Sequence, residues 1–205
     1  IFEILDVNEE IVKLVSNHAH EYEILEQARK DGTHLLIEAG IISSGKHFPG
    51  HGDTSTDSHK TLPFLDFTLE RLDSIELFPY KELFKTNLAS VMVAHLNVPS
   101  LDPKPGVPTS ISYMVITELL KGKMGFKGLI FTDALNMKGA ANLAKPGDID
   151  LAAFNAGNDM LLIPEDVKVA VKKIKKAIRK HQISKERLNA SVKKILKARH
   201  DIHHL

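Results

Sequence analysis

The feature of this sequence that most constrains its fold is a repeated alternation between short apolar runs and longer segments with helical spacing. The central apolar runs are rich in β-branched residues, which is typical of strands with both faces covered. The runs predict strands at residues 2–7, 41–47, 90–96, 128–133 and 159–163. Because a helical segment follows each run, the chain is predicted to form an α/β fold with a mostly parallel sheet.

The lengths of these β/α units favour a closed barrel over a short nucleotide-binding unit. A complete eight-stranded barrel typically needs about 250 residues, so the 205 residues of this chain would hold about five of its eight units. The sequence also begins without Met, inside a predicted strand. We therefore expect residues 1–205 to form a single, incomplete (β/α)8 barrel domain of the TIM type, with the N-terminal strands missing.

Apolar spacing also predicts the positions of the helices. They are expected at residues 18–37, 69–84, 110–123, 137–144 and 149–156, followed by two helices between residues 164 and 200. Pro79 should divide the second of these helices into two short ones, since proline breaks the helical hydrogen-bond ladder. Met114 is expected on the buried face of the third. The last two helices each carry one apolar stripe, made by Val167, Val171, Ile174 and Ile178 and by Leu188, Val192, Ile195 and Leu196.

The charge is unevenly distributed although the formal net charge is only +1. Residues 165–199 contain 13 Lys and Arg side chains against three acidic ones. This segment lacks the interleaved aromatics and glycine-rich loop of a polyanion site, so we interpret its lysines as the solvated faces of two outer helices. The chain also lacks a dinucleotide or Walker loop and a run of roughly 18 apolar residues. We expect no cofactor, no nucleic-acid partner and no membrane span.

Three predicted strands end in polar residues, His47, His95 and Asp133. The carboxyl ends of parallel strands meet at one edge of the sheet, which is where barrel enzymes carry their chemistry. Asp133 follows an apolar strand and is placed to act as a partly desolvated nucleophile or charge stabiliser. The alternative is that Asp133 caps the helix that begins near Asn136.

The loop at residues 45–63 combines turn residues with groups that bind or move protons. Lys46 and His47 offer donors to sugar hydroxyls or to an anion; alternatively, His47 is a core histidine beside a lysine that reaches solvent. Asp57 precedes His59 by two residues, so its carboxylate can orient the imidazole and assist proton exchange near neutral pH. The alternative for His59 is an exposed loop histidine.

Two segments resemble the signature motifs of glycoside hydrolase family 3, in its bacterial β-N-acetylglucosaminidase branch. The first is KHFPGHG at residues 46–52, followed by Asp-Ser-His at residues 57–59. The second is GLIFTDALNM at residues 128–137. The likeness continues through residues 91–95 and 156–160 and covers roughly residues 38–200.

This resemblance implies a (β/α)8 barrel that hydrolyses terminal β-linked N-acetylglucosamine with retention, as in peptidoglycan-derived muropeptides. It implies Asp133 as the nucleophile and His59, oriented by Asp57, as the acid and base. Lys46 and His47 would bind sugar hydroxyls. A histidine departs from the common two-carboxylate scheme, and a neutral imidazole would also tolerate phosphate as the acceptor. A bacterial protein of the cytoplasm or periplasm is implied, and the absence of cysteine leaves both compartments open.

Two alternatives stay open at this point. Residues 9–22 contain no arginine where the family expects a sugar-gripping Arg-Ser-Phe-Gly type segment. The chain is therefore also interpreted as an inactive or structural fragment of such an enzyme, whose open sheet edges would promote self-association. The second alternative is a metal-dependent barrel hydrolase, because imidazole and carboxylate groups are usual zinc ligands. Its ligands would be His47, His51, His95 and Asp133.

Overall fold

The computed structural model describes residues 43–51, 61–86, 88–141 and 143–203. Within them, three strands form one sheet in the order β1 (Ser44–Phe48), β2 (Ser90–Val93) and β3 (Leu129–Thr132). Both pairings are parallel, so the three carboxyl ends lie at the same edge. The predicted parallel sheet is confirmed over this part of the chain. The predicted strand at residues 2–7 and the predicted helix at 18–37 lie outside the described residues.

The pairing of β1 with β2 becomes irregular just where the polar residues begin. Ser44 and Gly45 pair in register with β2, and the register then shifts before Phe48. Gly45 and Phe48 are buried, whereas Lys46 and His47 between them are partly exposed. The peptide bonds between Lys46 and His47 and between Phe48 and Pro49 are cis. The shift in register lets two consecutive polar side chains share the end of a buried strand.

The predicted strand at residues 159–163 is wrong in extent. This segment runs beside β3, but it forms only an isolated parallel bridge between Met160 and Phe131. The Thr132 N–H donates to the Met160 carbonyl at 3.1 Å. One step further, the Leu162 N–H donates to the Thr132 hydroxyl at 3.0 Å instead of to a backbone carbonyl. The Thr132 side chain thus accepts an N–H that would bond to a backbone carbonyl if the strand continued.

The described helices follow the predicted order. They are α1 (Leu69–Ser74), α2 (Phe78–Leu83), a 3-10 helix (Thr109–Ile111), a π-helix (Met114–Lys123), α3 (Lys138–Ala141), α4 (Asp148–Ala156), α5 (Val167–Arg179) and α6 (Lys185–His203). The two short helices predicted around Pro79 are confirmed, but Pro79 is not the break. It lies in the first turn of α2, where a missing N–H removes no helical hydrogen bond.

Some faces of the helices differ from the prediction. Met114 is 47% exposed, because a π-helix has a wider turn than the 3.6-residue period assumed for this segment. Val167 and Val171 of α5 and Val192 and Leu196 of α6 are also exposed. Small residues take the buried positions of these two helices, namely Ala170, Ala177 and Ser191.

The main core lies between the sheet and the helices α1, α2 and the π-helix. Phe48, the last residue of β1, is completely buried and packs edge to face on Tyr80, with ring centroids 5.0 Å apart. Burying an aromatic side chain of this size stabilises a fold by about 1.5–3 kcal/mol. The end of β1 is therefore firmly anchored. Among the helices that the structure describes, none is long and apolar enough to cross a membrane.

Candidate active site

The candidate site lies at the carboxyl edge of the sheet, where the three neighbouring strands end. β1 carries Lys46 and His47, and Asp133 follows the last residue of β3. The Asp133 N–H donates to the carbonyl of Val93, the last residue of β2, at 2.9 Å. The Ala94 N–H donates in the same way to the carbonyl that ends β1, at 2.8 Å. Backbone pairing thus continues one residue beyond β2 and β3, and it holds the ends of the three strands side by side.

The Asp133 carboxylate is partly buried, with a side-chain exposure of 16%. Its Oδ1 accepts the Ala134 N–H at 2.8 Å. Helix α3 begins only at Lys138, so this bond is not the cap of that helix. The carboxylate is held at one oxygen, and its other oxygen faces His47.

His47 lies beside this carboxylate, with Nε2 3.9 Å from Asp133 Oδ2. Its ring also meets the His51 ring at an angle, with centroids 5.9 Å apart. Burial lowers the pKa of His47; the Asp133 carboxylate opposes this shift, and Lys46 and His51 reinforce it. His47 is therefore neutral at pH 7 and is not ion-paired with Asp133. Because its side chain is 26% exposed, His47 is not a core histidine.

His95 was expected at the same edge, but it is completely buried behind it. Its Nε2 lies 2.9 Å from the Ala134 carbonyl, and its Nδ1 lies 2.6 Å from the Ser110 hydroxyl. A carbonyl can only accept, so Nε2 carries the proton and Nδ1 accepts from Ser110. Burial lowers the pKa of His95, opposed by the bond to Ala134 and by the Asp133 charge. His95 is thus a neutral imidazole in the Nε2–H form.

This arrangement corrects the metal-site alternative at His95. Both ring nitrogens of His95 are occupied by hydrogen bonds, so neither is free to bind a metal ion. Across residues 43–51, 61–86, 88–141 and 143–203, no group of three or more His, Asp or Glu side chains is placed to hold a metal ion. The predicted set of four ligands is therefore not assembled in this part of the chain.

The predicted proton-transfer pair lies outside the described residues. Asp57 and His59 belong to residues 52–60, between His51 and Thr61. His51, the last described residue before them, contacts the ring of His47. The roles of Asp57 and His59 stay predictions.

Sequence reasoning missed the polar contacts behind the site. The Thr109 hydroxyl donates to the Ala94 carbonyl at 2.6 Å, and Ser110 bonds to His95. The Asn158 amide donates to the Ser110 carbonyl at 2.8 Å, across 48 residues of sequence. The available signal was the pair of hydroxyl residues directly after Pro108, but no local pattern indicates what these hydroxyls would meet.

The sequence matches the family model described as the glycosyl hydrolase family 3 N terminal domain over residues 10–198. This stretch contains every described residue of the candidate site. The chain belongs to glycosyl hydrolase family 3.

Individual relatives agree with this membership and with the resemblance seen in the motifs. Over 178 residues the chain is 33% identical to beta-hexosaminidase A of Pseudoalteromonas piscicida. The match covers 78% of this chain and 30% of that protein. It is 35% identical over 165 residues to a beta-hexosaminidase of Chromobacterium violaceum, covering 78% of this chain and 44% of that protein. The chain therefore spans less than half the length of these curated relatives.

A solved structure gives the same result for the fold. A glycoside hydrolase family 3 beta-N-acetylglucosaminidase from Paenibacillus sp. str. FPU-7 superposes with a TM-score of 0.85 at 32% identity. The match covers 92% of this chain and 36% of that one. The fold is a TIM-barrel-like α/β fold, of which the described residues contain a partial parallel sheet with its helices.

Proposed function

We propose that this chain is the catalytic region of a glycoside hydrolase that removes terminal β-linked N-acetylglucosamine with retention of configuration. The observation that carries the proposal is the approach of His47 to Asp133, 3.9 Å between Nε2 and Oδ2, at the carboxyl edge of a parallel sheet. The choice of sugar rests on the relatives, which include a beta-hexosaminidase and a beta-N-acetylglucosaminidase. Muropeptides derived from peptidoglycan are the natural substrates that we propose for it.

In the first step Asp133 attacks the anomeric carbon. Oδ1 is held by the Ala134 N–H, so Oδ2 is the attacking oxygen. As the bond from Oδ2 to carbon forms, the bond from carbon to the aglycone oxygen breaks, which leaves a covalent glycosyl-enzyme. A neutral His47 favours this step, since a protonated ring so close would stabilise the carboxylate and weaken it as a nucleophile.

His59, oriented by Asp57, is the proposed acid and base. It gives its proton to the leaving oxygen in the first step. In the second step it takes a proton from the water that attacks the anomeric carbon, while the bond from that carbon to Asp133 Oδ2 breaks and the carboxylate is released. An imidazole that has given up its proton is neutral, so it adds no second anion beside Asp133. The Asp-x-His spacing of the motif supports this assignment.

Lys46 and His47 are the proposed ligands of the sugar. The 3.9 Å between His47 Nε2 and Asp133 Oδ2 is too long for a direct hydrogen bond. One hydroxyl oxygen of the substrate can contact both atoms, which would place the sugar ring over the nucleophile.

For the architecture we propose a (β/α)8 barrel in which residues 1–205 belong to one catalytic domain. The three adjacent parallel strands and the parallel bridge at Met160 support this proposal. The rival proposal is an inactive chain that keeps the motifs, and it is favoured by the lack of an arginine in residues 9–22. Saturable binding of N-acetylglucosamine in calorimetry would argue against the inactive chain.

The test of the mechanism is turnover of p-nitrophenyl N-acetyl-β-glucosaminide. The wild-type protein should release p-nitrophenol, and Asp133→Ala should lose nearly all turnover because it removes the attacking oxygen. Added azide should restore release in that variant and yield the α-glycosyl azide, since the small anion occupies the space of the lost carboxylate. Asp73→Ala is the matched control, because Asp73 is an exposed aspartate on α1. Unchanged turnover in Asp133→Ala would refute the mechanism.

The acid and base are tested by varying the leaving group. His59→Ala should slow substrates with poor leaving groups by about 10²–10⁴ fold and should affect activated aryl substrates far less. An equal loss on both kinds of substrate would exclude His59 as the proton donor. Inorganic phosphate belongs in a parallel assay, where a sugar 1-phosphate product would identify phosphate as the acceptor.

A further inference from the structure

A buried histidine connects the segments behind the proposed nucleophile. His95 lies two residues beyond the end of β2 and is completely buried, so substrate cannot reach it. Its Nε2–H donates to the Ala134 carbonyl at 2.9 Å, and its Nδ1 accepts the Ser110 hydroxyl at 2.6 Å. The His95 ring therefore links the segment after β2 to the segment after β3 and to the 3-10 helix that contains Ser110.

A bond to the Ala134 carbonyl affects the position of Asp133, because Ala134 directly follows Asp133 in the chain. The Ala134 N–H donates to Asp133 Oδ1 at 2.8 Å, and the Asp133 N–H donates to the end of β2 at 2.9 Å. The next amide, of Leu135, donates to the carbonyl of Leu162 at 2.9 Å. With His95 on the carbonyl between them, the backbone is fixed on both sides of the carboxylate.

The bond from His95 is not needed merely to satisfy a buried carbonyl. The Ala134 carbonyl also accepts the Met137 N–H at 3.0 Å, a bond within the same turn. Without His95 the carbonyl would still have a partner, but the turn would lose its lateral link to β2. The contribution of the imidazole is therefore restraint of position, and a displacement of about 1 Å costs a reaction about 10² fold.

We infer that His95 is a positioning residue, which holds the Ala134 carbonyl and so fixes the direction in which the Asp133 carboxylate meets the anomeric carbon. This inference rests on the proposed function of Asp133.

Two substitutions at one position separate positioning from packing. His95→Phe keeps a ring of similar size but has no donor, whereas His95→Gln retains an amide donor of comparable reach. Thr117→Val is the matched control, since it removes a 2.7 Å hydroxyl bond from the π-helix to the Ala156 carbonyl. We expect His95→Phe to lower kcat by about 10–100 fold with little change in KM, because His95 touches no substrate. His95→Gln should recover most of kcat, and Thr117→Val should keep the wild-type value.

A second readout does not depend on catalysis. Hydrogen exchange of the Ala134 and Leu135 amides, followed by NMR, should be about tenfold faster in His95→Phe than in the wild type and unchanged in His95→Gln and Thr117→Val. Should His95→Phe not fold, Ser110→Ala replaces it, because it frees Nδ1 and lets the ring turn. Ser110→Ala should then show a smaller fall in kcat and faster exchange at Ala134.

The inference is overturned if His95→Phe, or Ser110→Ala in its place, keeps wild-type kcat per folded molecule and wild-type exchange. It is also overturned if His95→Gln is as slow as His95→Phe. Failure of the proposed function looks different. In that case the wild-type protein does not turn over the substrate or Asp133→Ala remains active, while the exchange rates still decide whether His95 fixes the turn.

Discussion

Replacing Asp159 by asparagine should strongly destabilise the protein and leave its chemistry intact. The Asp159 side chain is 2% exposed and is surrounded by donors. Its Oδ2 accepts the Ile130 N–H at 3.2 Å and Lys194 Nζ at 2.9 Å. Its Oδ1 accepts the Ser191 hydroxyl at 2.5 Å and lies 3.6 Å from Arg187 Nη1. In Asp159→Asn the new amide NH₂ would therefore point at other donors.

The size of the effect follows from the charges that lose their partner. Arg187 and Lys194 are 23% and 30% exposed, so each is partly desolvated and both depend on the Asp159 anion. Breaking a buried ion pair costs about 3–5 kcal/mol, and the residual exposure of both cations favours the lower end, about 3 kcal/mol. For a chain of this size each kcal/mol lowers Tm by about 2–4 °C, so the midpoint should fall by about 6–12 °C.

Urea unfolding followed by circular dichroism measures this loss, and the midpoint should fall with an unchanged slope. Asp73→Asn is the matched control, since Asp73 is 56% exposed in its 2.5 Å pair with Lys81 and should cost at most about 1 kcal/mol. Turnover per folded Asp159→Asn molecule should stay within about twofold of the wild type, because Asp159 bonds the opposite end of β3 from Asp133. A loss no larger than that of Asp73→Asn would refute the reasoning, and so would a fall in turnover without a fall in stability.

Two further predictions concern a half-buried lysine and the residues after β1. Burial lowers the pKa of Lys121 from 10.5 to about 8. The folded state therefore penalises the charged form, and stability should rise as the pH increases from about 8 towards about 10.5. Urea unfolding at several pH values should show this rise disappear in Lys121→Met but not in Lys123→Met, an exposed control; the same pH dependence in both variants would contradict the prediction. At Gly50, where φ is +148°, an added Cβ would lie 2.6 Å from Glu76 Cγ. Gly50→Ala should cost about 1–3 kcal/mol more than Gly125→Ala, which also has a positive φ (+71°) but no atom within 4 Å of its added Cβ. Equal losses in urea unfolding would show that the loop yields to the extra methyl group.

The positions of β1, β2 and β3 and the polar residues at their ends could be predicted because short stretches of sequence determine them. Residues 91–94 are apolar at four consecutive positions, so both faces of a strand here are apolar, which is typical of a covered strand, and β2 forms in this run. The same pattern precedes Asp133, which directly follows β3. Parallel pairing then brings Asp133 and His47 to one edge without any further information.

The partners of the buried polar residues could not be predicted in this way, because tertiary packing supplies them. His95 ends an apolar run just as His47 does, yet its ring turns inward to partners 15 and 39 residues away. Lys194 belongs to a helix whose lysines were interpreted as solvated, but it bonds to Asp159, 35 residues earlier. The exposure of Met114 escaped prediction for a different reason, since sequence periodicity does not distinguish a π-helix from an α-helix.

Asp159 and Asp133 lie near opposite ends of β3, and both side chains are largely buried. Their hydrogen bonds indicate which of them can act as a nucleophile. Each oxygen of Asp159 faces two donors, so its lone pairs are committed and an attack would require breaking an ion pair. At Asp133, the described residues provide one amide to Oδ1 and leave Oδ2 with a neutral imidazole at 3.9 Å. A carboxylate that is fixed by its backbone, and that accepts no hydrogen bond at one oxygen from the described residues, meets the needs of covalent catalysis. The beginning of β3 is thus bonded by a carboxylate used for stability, that of Asp159, and its end leads into one available for chemistry, that of Asp133.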